Sequence, residues 1–115
     1  MQLIDSHTHI YGEEFDEDRD EMLARATAAG VGQMILPNVD AASYPRVLDL
    51  CAAHPDRLFP TIGLHPTYVK EDYTSQLDYM ERELSQRPHV AIGEIGLDYY
   101  WDTTYQREQI EAFER

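Results

Sequence analysis

At 115 residues the chain has room for one domain around a single modest core, which excludes a two-domain organisation. An apolar share of 43% with 27% charged residues is that of an ordinary globular protein, not of a disordered, collagenous or disulfide-scaffold chain. Nine basic against 22 acidic residues leave a formal charge of −13, so a broad basic groove cannot supply affinity for a phosphate backbone, whereas a local positive site made by bound metal remains open.

Along the chain, strand-like and helix-like segments alternate. Gln2 to Ile10 contains a β-compatible run. The acidic stretch from Glu13 to Glu21 leads into Met22, Leu23, Ala26 and Ala29, apolar at helical spacing, and Gly30 ends that helix. The acids of that stretch read as a solvated helix start at the positive end of the helix dipole, and the calcium-loop pattern D-x-[DN]-x-[DN]-G is absent. Val31 to Pro37 is a second strand. Ala41 to Ala53 is a second helix with Val47, Leu48, Leu50 and Cys51 on one side, stopped by His54-Pro55. Cys51, the sole cysteine, excludes an intrachain disulfide and fits a buried apolar role in a reducing, cytoplasmic setting. Leu58 to Leu64 is a third strand. A polar connection precedes a third helix over Thr74 to Arg87, where Leu77, Met80, Glu81 and Leu84 keep the 3.6 period and Pro88 closes it. Val90 to Ile95 is a fourth strand, after which Thr103 and Thr104 are expected to cap a fourth helix running from Tyr105 to Arg115 with Ile110 and Phe113 as core positions. No window approaches the roughly 18 apolar residues of a membrane span, so no membrane association is expected.

Four βα units with buried-type strands imply a parallel sheet covered by its crossover helices. A doubly wound sheet and a (β/α)8 barrel both satisfy this pattern. The fourth helix meets no Gly or Pro stop before Arg115, and a complete barrel needs about 250 residues. The pattern therefore predicts the first four βα units, residues 1–115, of a barrel domain.

The residues that carry chemistry fall at the expected strand ends. In Asp5-Ser6-His7-Thr8-His9, side chains two apart share a strand face about 6.6 Å from one another, and two tilted imidazoles can converge on one ion from there. Such a pair is also compatible with two ordinary hydrogen-bonded histidines. In Val90-Ala91-Ile92-Gly93-Glu94, alternation puts the Glu94 carboxylate at the end of an otherwise apolar face, where it must be paired, hydrogen-bonded or metal-bound. His65, in Gly63-Leu64-His65-Pro66, closes the third strand, either in a structural turn or beside a site. Histidine and carboxylate delivered from three strands to one end of a sheet form a donor mixture suited to zinc, manganese or iron, and point to a metal-dependent hydrolase.

Ile4-Asp5-Ser6-His7-Thr8-His9, Gly63-Leu64-His65-Pro66 and Gly93-Glu94-Ile95-Gly96-Leu97-Asp98-Tyr99 resemble, in order and spacing, three signatures of the TatD family of metal-dependent deoxyribonucleases. The likeness extends to Gln106, Gln109 and Phe113. It implies a (β/α)8 TIM barrel in which His7 and His9 bind one of two divalent ions, Glu94 bridges both, and His65 acts beside them on substrate. Zinc, magnesium or manganese would serve, with DNA as the substrate contacted locally at the metal site. Asp5 or Asp98 would orient a ligand from behind. The resemblance also implies two histidines and an aspartate from later strands, which have no counterpart among these residues. Two other readings stay open: a metal barrel acting on an amide or lactone, and a catalytically incomplete half-barrel that binds metal without turnover. Tyr99, Tyr100 and Trp101 either stack on bases at the mouth of the site or cover the end of a core.

Overall fold

Residues 1–115 are described by a computed structural model. The elements are β1 (Leu3–Asp5), a 3-10 turn (Glu13–Phe15), α1 (Arg19–Ala28), β2 (Val31–Leu36), α2 (Tyr44–Ala53), β3 (Leu58–Ile62), a second 3-10 turn (Pro66–Tyr68), α3 (Tyr73–Gln86), β4 (Ala91–Ile92) and α4 (Gln106–Glu114). All three strand pairings are parallel, in the order β1-β2-β3-β4. A doubly wound sheet reverses its strand order near the middle, and this sheet does not. Winding in one direction with a helix after each strand is the arc of a (β/α)8 barrel, so the four units form a partial TIM barrel.

Local chemistry sets the element limits. Asp20 and Glu21 sit in the first turn of α1, where they meet its positive dipole end. Gly30 follows at φ +94°, a left-handed conformation that a side chain would strain, and turns the chain into β2. Pro45 sits in the first turn of α2, its fixed φ suited to that position.

Four expectations are corrected here. β4 is confined to Ala91–Ile92 and not Val90–Ile95, because the Glu94 N–H leaves β3 and donates to Asn38 O at 2.8 Å. Ile110 and Phe113 are exposed and not core positions of α4, whose buried residue is Gln109. β1 spans Leu3–Asp5 and not the whole Gln2–Ile10 run, because the Asp5 carboxylate accepts a hydrogen bond from the His7 backbone N–H at 3.1 Å and turns the chain out of the ladder. His7 and His9 therefore lie beyond it and do not share a strand face with Asp5. Thr103 and Thr104 do not cap α4. The Asp102 carboxylate accepts from the Thr104 N–H at 2.9 Å, and the helix starts at Gln106 with Tyr105 at its N-cap and no side-chain cap bond.

The packed centre lies between the sheet and its helices. Leu23 of α1, Met34 and Leu36 of β2, Val47 and Cys51 of α2 and Leu58 of β3 form one buried cluster with Ile10 and Tyr11. Tyr44, Ile62, Leu64, Val69 and Met80 form a second cluster toward α3. Leu36 and Val47 are fully buried, and each such side chain contributes about 1.5–3 kcal/mol. Burial pushes the Cys51 thiol up to about 12, which leaves it a protonated, unreactive core group. The edge strands are different: Leu3, Ile4, Val90 and Ile92 are exposed. No helix is long and apolar enough to cross a membrane.

Candidate metal centre

His7 and His9 follow β1, His65 follows β3 and Glu94 follows β4, so all lie beyond the C-terminal ends of parallel strands. In a flat sheet β1 and β4 would stand about 14 Å apart, from roughly 4.8 Å per strand. Here Glu94 Oε2 lies 3.3 Å from His7 Nε2 and 3.4 Å from His9 Nε2. The curl of the sheet, with the turn after Asp5, closes that gap. The two imidazole Nε2 atoms are 3.2 Å apart, and one donor atom from each of His7, His9 and Glu94 falls within 4.8 Å of the others. This is the spacing of donors around a single ion.

Hydrogen bonding fixes most of the protons. The Tyr11 hydroxyl donates to the Pro37 carbonyl at 2.6 Å, so toward His9 Nδ1, 3.0 Å away, it must accept. His9 therefore carries its proton on Nδ1 and presents a bare lone pair from Nε2 to Glu94 and His7. Burial, followed by the proximity of His7, lowers the His9 pKa below its usual value and keeps the ring neutral at pH 7. At most the His7 Nε2 proton is left to share among three converging donor atoms. An acceptor-rich cluster of this kind is satisfied by a cation, and the residues present fit a divalent metal.

His65 is set the other way round. Its Nδ1 accepts from the Thr67 backbone N–H at 3.1 Å and faces the Thr67 hydroxyl at 2.8 Å. The proton is thus on Nε2, which donates to Glu94 Oε1 at 3.2 Å. His9 faces one carboxylate oxygen with a lone pair and His7 with at most one proton, while His65 faces the other as a donor.

The residues that hold this arrangement were not singled out by the sequence. Asn38, fully buried after β2, donates its backbone N–H to Gly93 O at 3.2 Å and accepts the Glu94 N–H at 2.8 Å. Its side chain donates to Gly63 O at 3.2 Å and accepts from Ser43 Oγ at 3.0 Å. Thr61 reaches Gly93 O at 2.8 Å. At Gly63 a Cβ would stand 2.7 Å from the Gly93 carbonyl carbon, so only glycine lets the two backbones approach. A buried asparagine directly after Pro37 was the signal available: a polar side chain at the end of an apolar strand needs partners. Tyr11 carries no such mark, since its role appears only when the chain folds back on Pro37.

The acidic stretch also has a role beyond a solvated helix start. Asp16 pairs with Arg19 at 2.8 Å and with Arg46. Arg19 donates to Ile10 O and Gly12 O, each at 2.7 Å, and Arg46 to Tyr11 O at 2.8 Å, so the three residues clamp the segment after His9. Glu13 and Glu14 line, with His9, His65, Arg46 and Tyr68, a cavity of about 500 Å³ that opens beside the cluster. Asp5 holds the His7 backbone, which accords with an orienting role. Asp98 does not join the cluster: its carboxylate accepts from the Tyr100 N–H at 2.9 Å, and its backbone is held by Gln109.

With that geometry in place, comparison with known proteins is direct. Residues 4–115 match the family model described as TatD related DNase. The uncharacterised metal-dependent hydrolase YjjV of Escherichia coli K12 is 37% identical over 111 residues, covering 94% of this chain and 42% of the relative. A 3'-5' ssDNA/RNA exonuclease TatD from Erwinia tasmaniensis is 32% identical, covering 96% of this chain and 43% of the relative. The crystal structure of YjjV superposes with a TM-score of 0.88 at 34% identity, covering 97% of this chain and 44% of that one. The chain thus spans less than half the length of the curated relatives it matches. A family match across nearly every residue, together with the half-barrel that the strand order defines, places this chain in the TatD-related DNase family.

Proposed function

We propose that the protein is a divalent-metal-dependent hydrolase of phosphodiester bonds, a deoxyribonuclease-like enzyme, with His7, His9 and Glu94 as metal ligands and His65 as a catalytic residue. The observation that carries this reading is the convergence of His7 Nε2, His9 Nε2 and Glu94 Oε2 with at most one proton to share. The names of the relatives, a metal-dependent hydrolase and a nuclease, support it and favour phosphodiester over amide or lactone substrates. Residues 1–115 correspond in this reading to the first four βα units of one barrel domain, in a cytoplasmic protein.

Two divalent ions, zinc, magnesium or manganese, would supply the Lewis acidity that activates water and offsets charge on the phosphate oxygens. The chain's own residues hold and orient. Tyr11 fixes the His9 tautomer, so no proton has to leave Nε2 before it ligates. Glu94 faces the histidine pair with Oε2 and His65 with Oε1, so its carboxylate would hold metal on the side of His7 and His9. His65 keeps a donor proton on Nε2 beside the histidine pair, where it would serve a phosphate oxygen or leaving group. In a chain of charge −13, contact with DNA is expected to be confined to this site.

The test is cleavage of a single-stranded oligonucleotide with manganese present, using protein expressed from its complete reading frame. Glu94→Ala should abolish metal-dependent cleavage, and retained activity would sink the assignment. Metal binding without cleavage would leave the half-barrel a binding module.

A further inference from the structure

The segment between β4 and α4 contains an arrangement that the hydrolytic site does not use. Tyr100 and Trp101 are 82% and 77% exposed within residues 1–115. Their rings meet edge to face, with centroids 4.7 Å apart and planes at 89°, forming a corner with most of its surface free. Solvent-exposed aromatic area of this kind is costly unless something lies on it.

The segment is also held in place. Gln109 of α4, 2% exposed, grips the Asp98 backbone from both sides, accepting its N–H at 2.8 Å and donating to its carbonyl at 2.9 Å. The Asp98 carboxylate then takes the Tyr100 N–H, and that of Asp102 the Thr104 N–H, each at 2.9 Å. The pair is thus presented on a braced loop, which lowers the ordering cost of binding. Trp101 also lines a cavity of about 160 Å³ against Pro66, Thr67 and Lys70 of the turn that follows His65. Thr67 also lines the cavity beside the metal cluster, so the two cavities adjoin at that residue.

The surroundings select the chemistry. Lys70, the one cation lining that cavity, is 3.6 Å from Asp102 and lies over the Tyr105 ring, so a phosphate chain finds no free positive charge there. What remains is the free ring faces of Tyr100 and Trp101, and nucleobases of an unpaired strand stack on aromatic faces regardless of sequence. Bases in a duplex are already stacked and present only edges and phosphates.

We propose that Tyr100 and Trp101 form a base-stacking platform for single-stranded nucleic acid, so that strand selection rests on stacking while the phosphate is held only at the metal site. This rests on the phosphodiesterase reading above and adds the residues that choose an unpaired substrate.

Trp101 is the only tryptophan among residues 1–115, and the fluorescence lost in Trp101→Phe reports on this one place. With divalent ions removed and the complete protein in solution, a single-stranded oligothymidylate should quench it saturably, while an abasic strand of equal length and a blunt duplex should not. In the presence of metal, Trp101→Ala should raise KM for the oligonucleotide at least about fivefold with little change in kcat, and Trp101→Phe should recover most of it. Absent quenching, equal quenching by the abasic strand or duplex, or an unchanged KM in Trp101→Ala, overturns the platform. Hydrolysis of the base-free diester bis(p-nitrophenyl) phosphate by the unsubstituted protein reports separately on the phosphodiesterase reading, and the quenching assay needs no turnover.

Discussion

The middle of the sheet and its two edges do different work. Strands β2 and β3 bury Met34, Leu36, Leu58 and Ile62 against the helices, while β1 and β4 are short and leave Ile4 and Ile92 more than half exposed. The candidate metal ligands sit at the two ends of this four-strand arc, since His7, His9 and Glu94 follow the two strands with least burial of their own. Within these four units, burial is thus concentrated in β2 and β3, and the candidate ligands lie after β1 and β4. The central strands set the curvature, and the edges inherit a convergence that their own packing could not enforce. Asn38 and Thr61, which leave the central strands and bond to the Gly93–Glu94 backbone, transmit one to the other.

That contrast can be broken by substitution. Leu36→Ala at the centre should cost about 2–5 kcal/mol in a denaturant titration, because it opens a cavity where nothing can collapse. Ile92→Ala, half exposed at the edge, should cost well under that. Equal costs would mean that edge and centre are one packed unit.

A next effect concerns the link between layers. Tyr11→Phe keeps the ring but removes the hydroxyl that joins His9 Nδ1 to Pro37 O, and should weaken divalent-ion affinity about 10- to 100-fold. Ion titration of the variant checks this, and unchanged affinity would show that the tautomer needs no such lock. Asn38→Ala leaves the Gly63 carbonyl without its side-chain donor and should cost about 1–3 kcal/mol of stability, read in the same denaturant titration.

The smallest effect is pH dependence at His89, next to the β4 edge. Its Nε2 lies 2.5 Å from the Tyr44 hydroxyl, and burial is the main cause of a pKa below the usual histidine value. The unfolded chain then takes up a proton near pH 6.5 that the folded chain resists, so stability should fall as pH drops below about 6.5. His9, shifted the same way by burial, adds to this slope. His89→Asn should flatten part of it in unfolding curves taken between pH 7.5 and about 5; an unaltered slope would remove His89 from the account.

Much of this was legible in the sequence. Apolar runs and their punctuation gave every βα unit, because helix-spaced apolar residues and apolar strand runs alternate and are bounded by Gly, Pro or a polar turn. The histidine pair, His65 and Glu94 stood out because polar groups at the ends of apolar strands require partners. The strand lengths did not, since the Asp5 and Asp102 turns that displace β1 and α4 depend on which backbone N–H each carboxylate finds. The choice between barrel and doubly wound sheet was also hidden, because strand order is a long-range property that local patterns do not encode. Tyr11 and Asn38 act through partners 26 and 25 residues away, Pro37 and Gly63, and no local spacing marks such pairs.

The most direct measurement is calorimetric titration of the 115-residue chain with zinc at pH 7, set beside Glu94→Gln, which keeps the shape but removes the charge. The account predicts saturable binding through His7, His9 and Glu94, weakened at least about tenfold in the variant while its circular dichroism spectrum is unchanged. Equal binding by both proteins, or none by either, would contradict the claim that sheet curvature assembles a metal centre from the two edge strands.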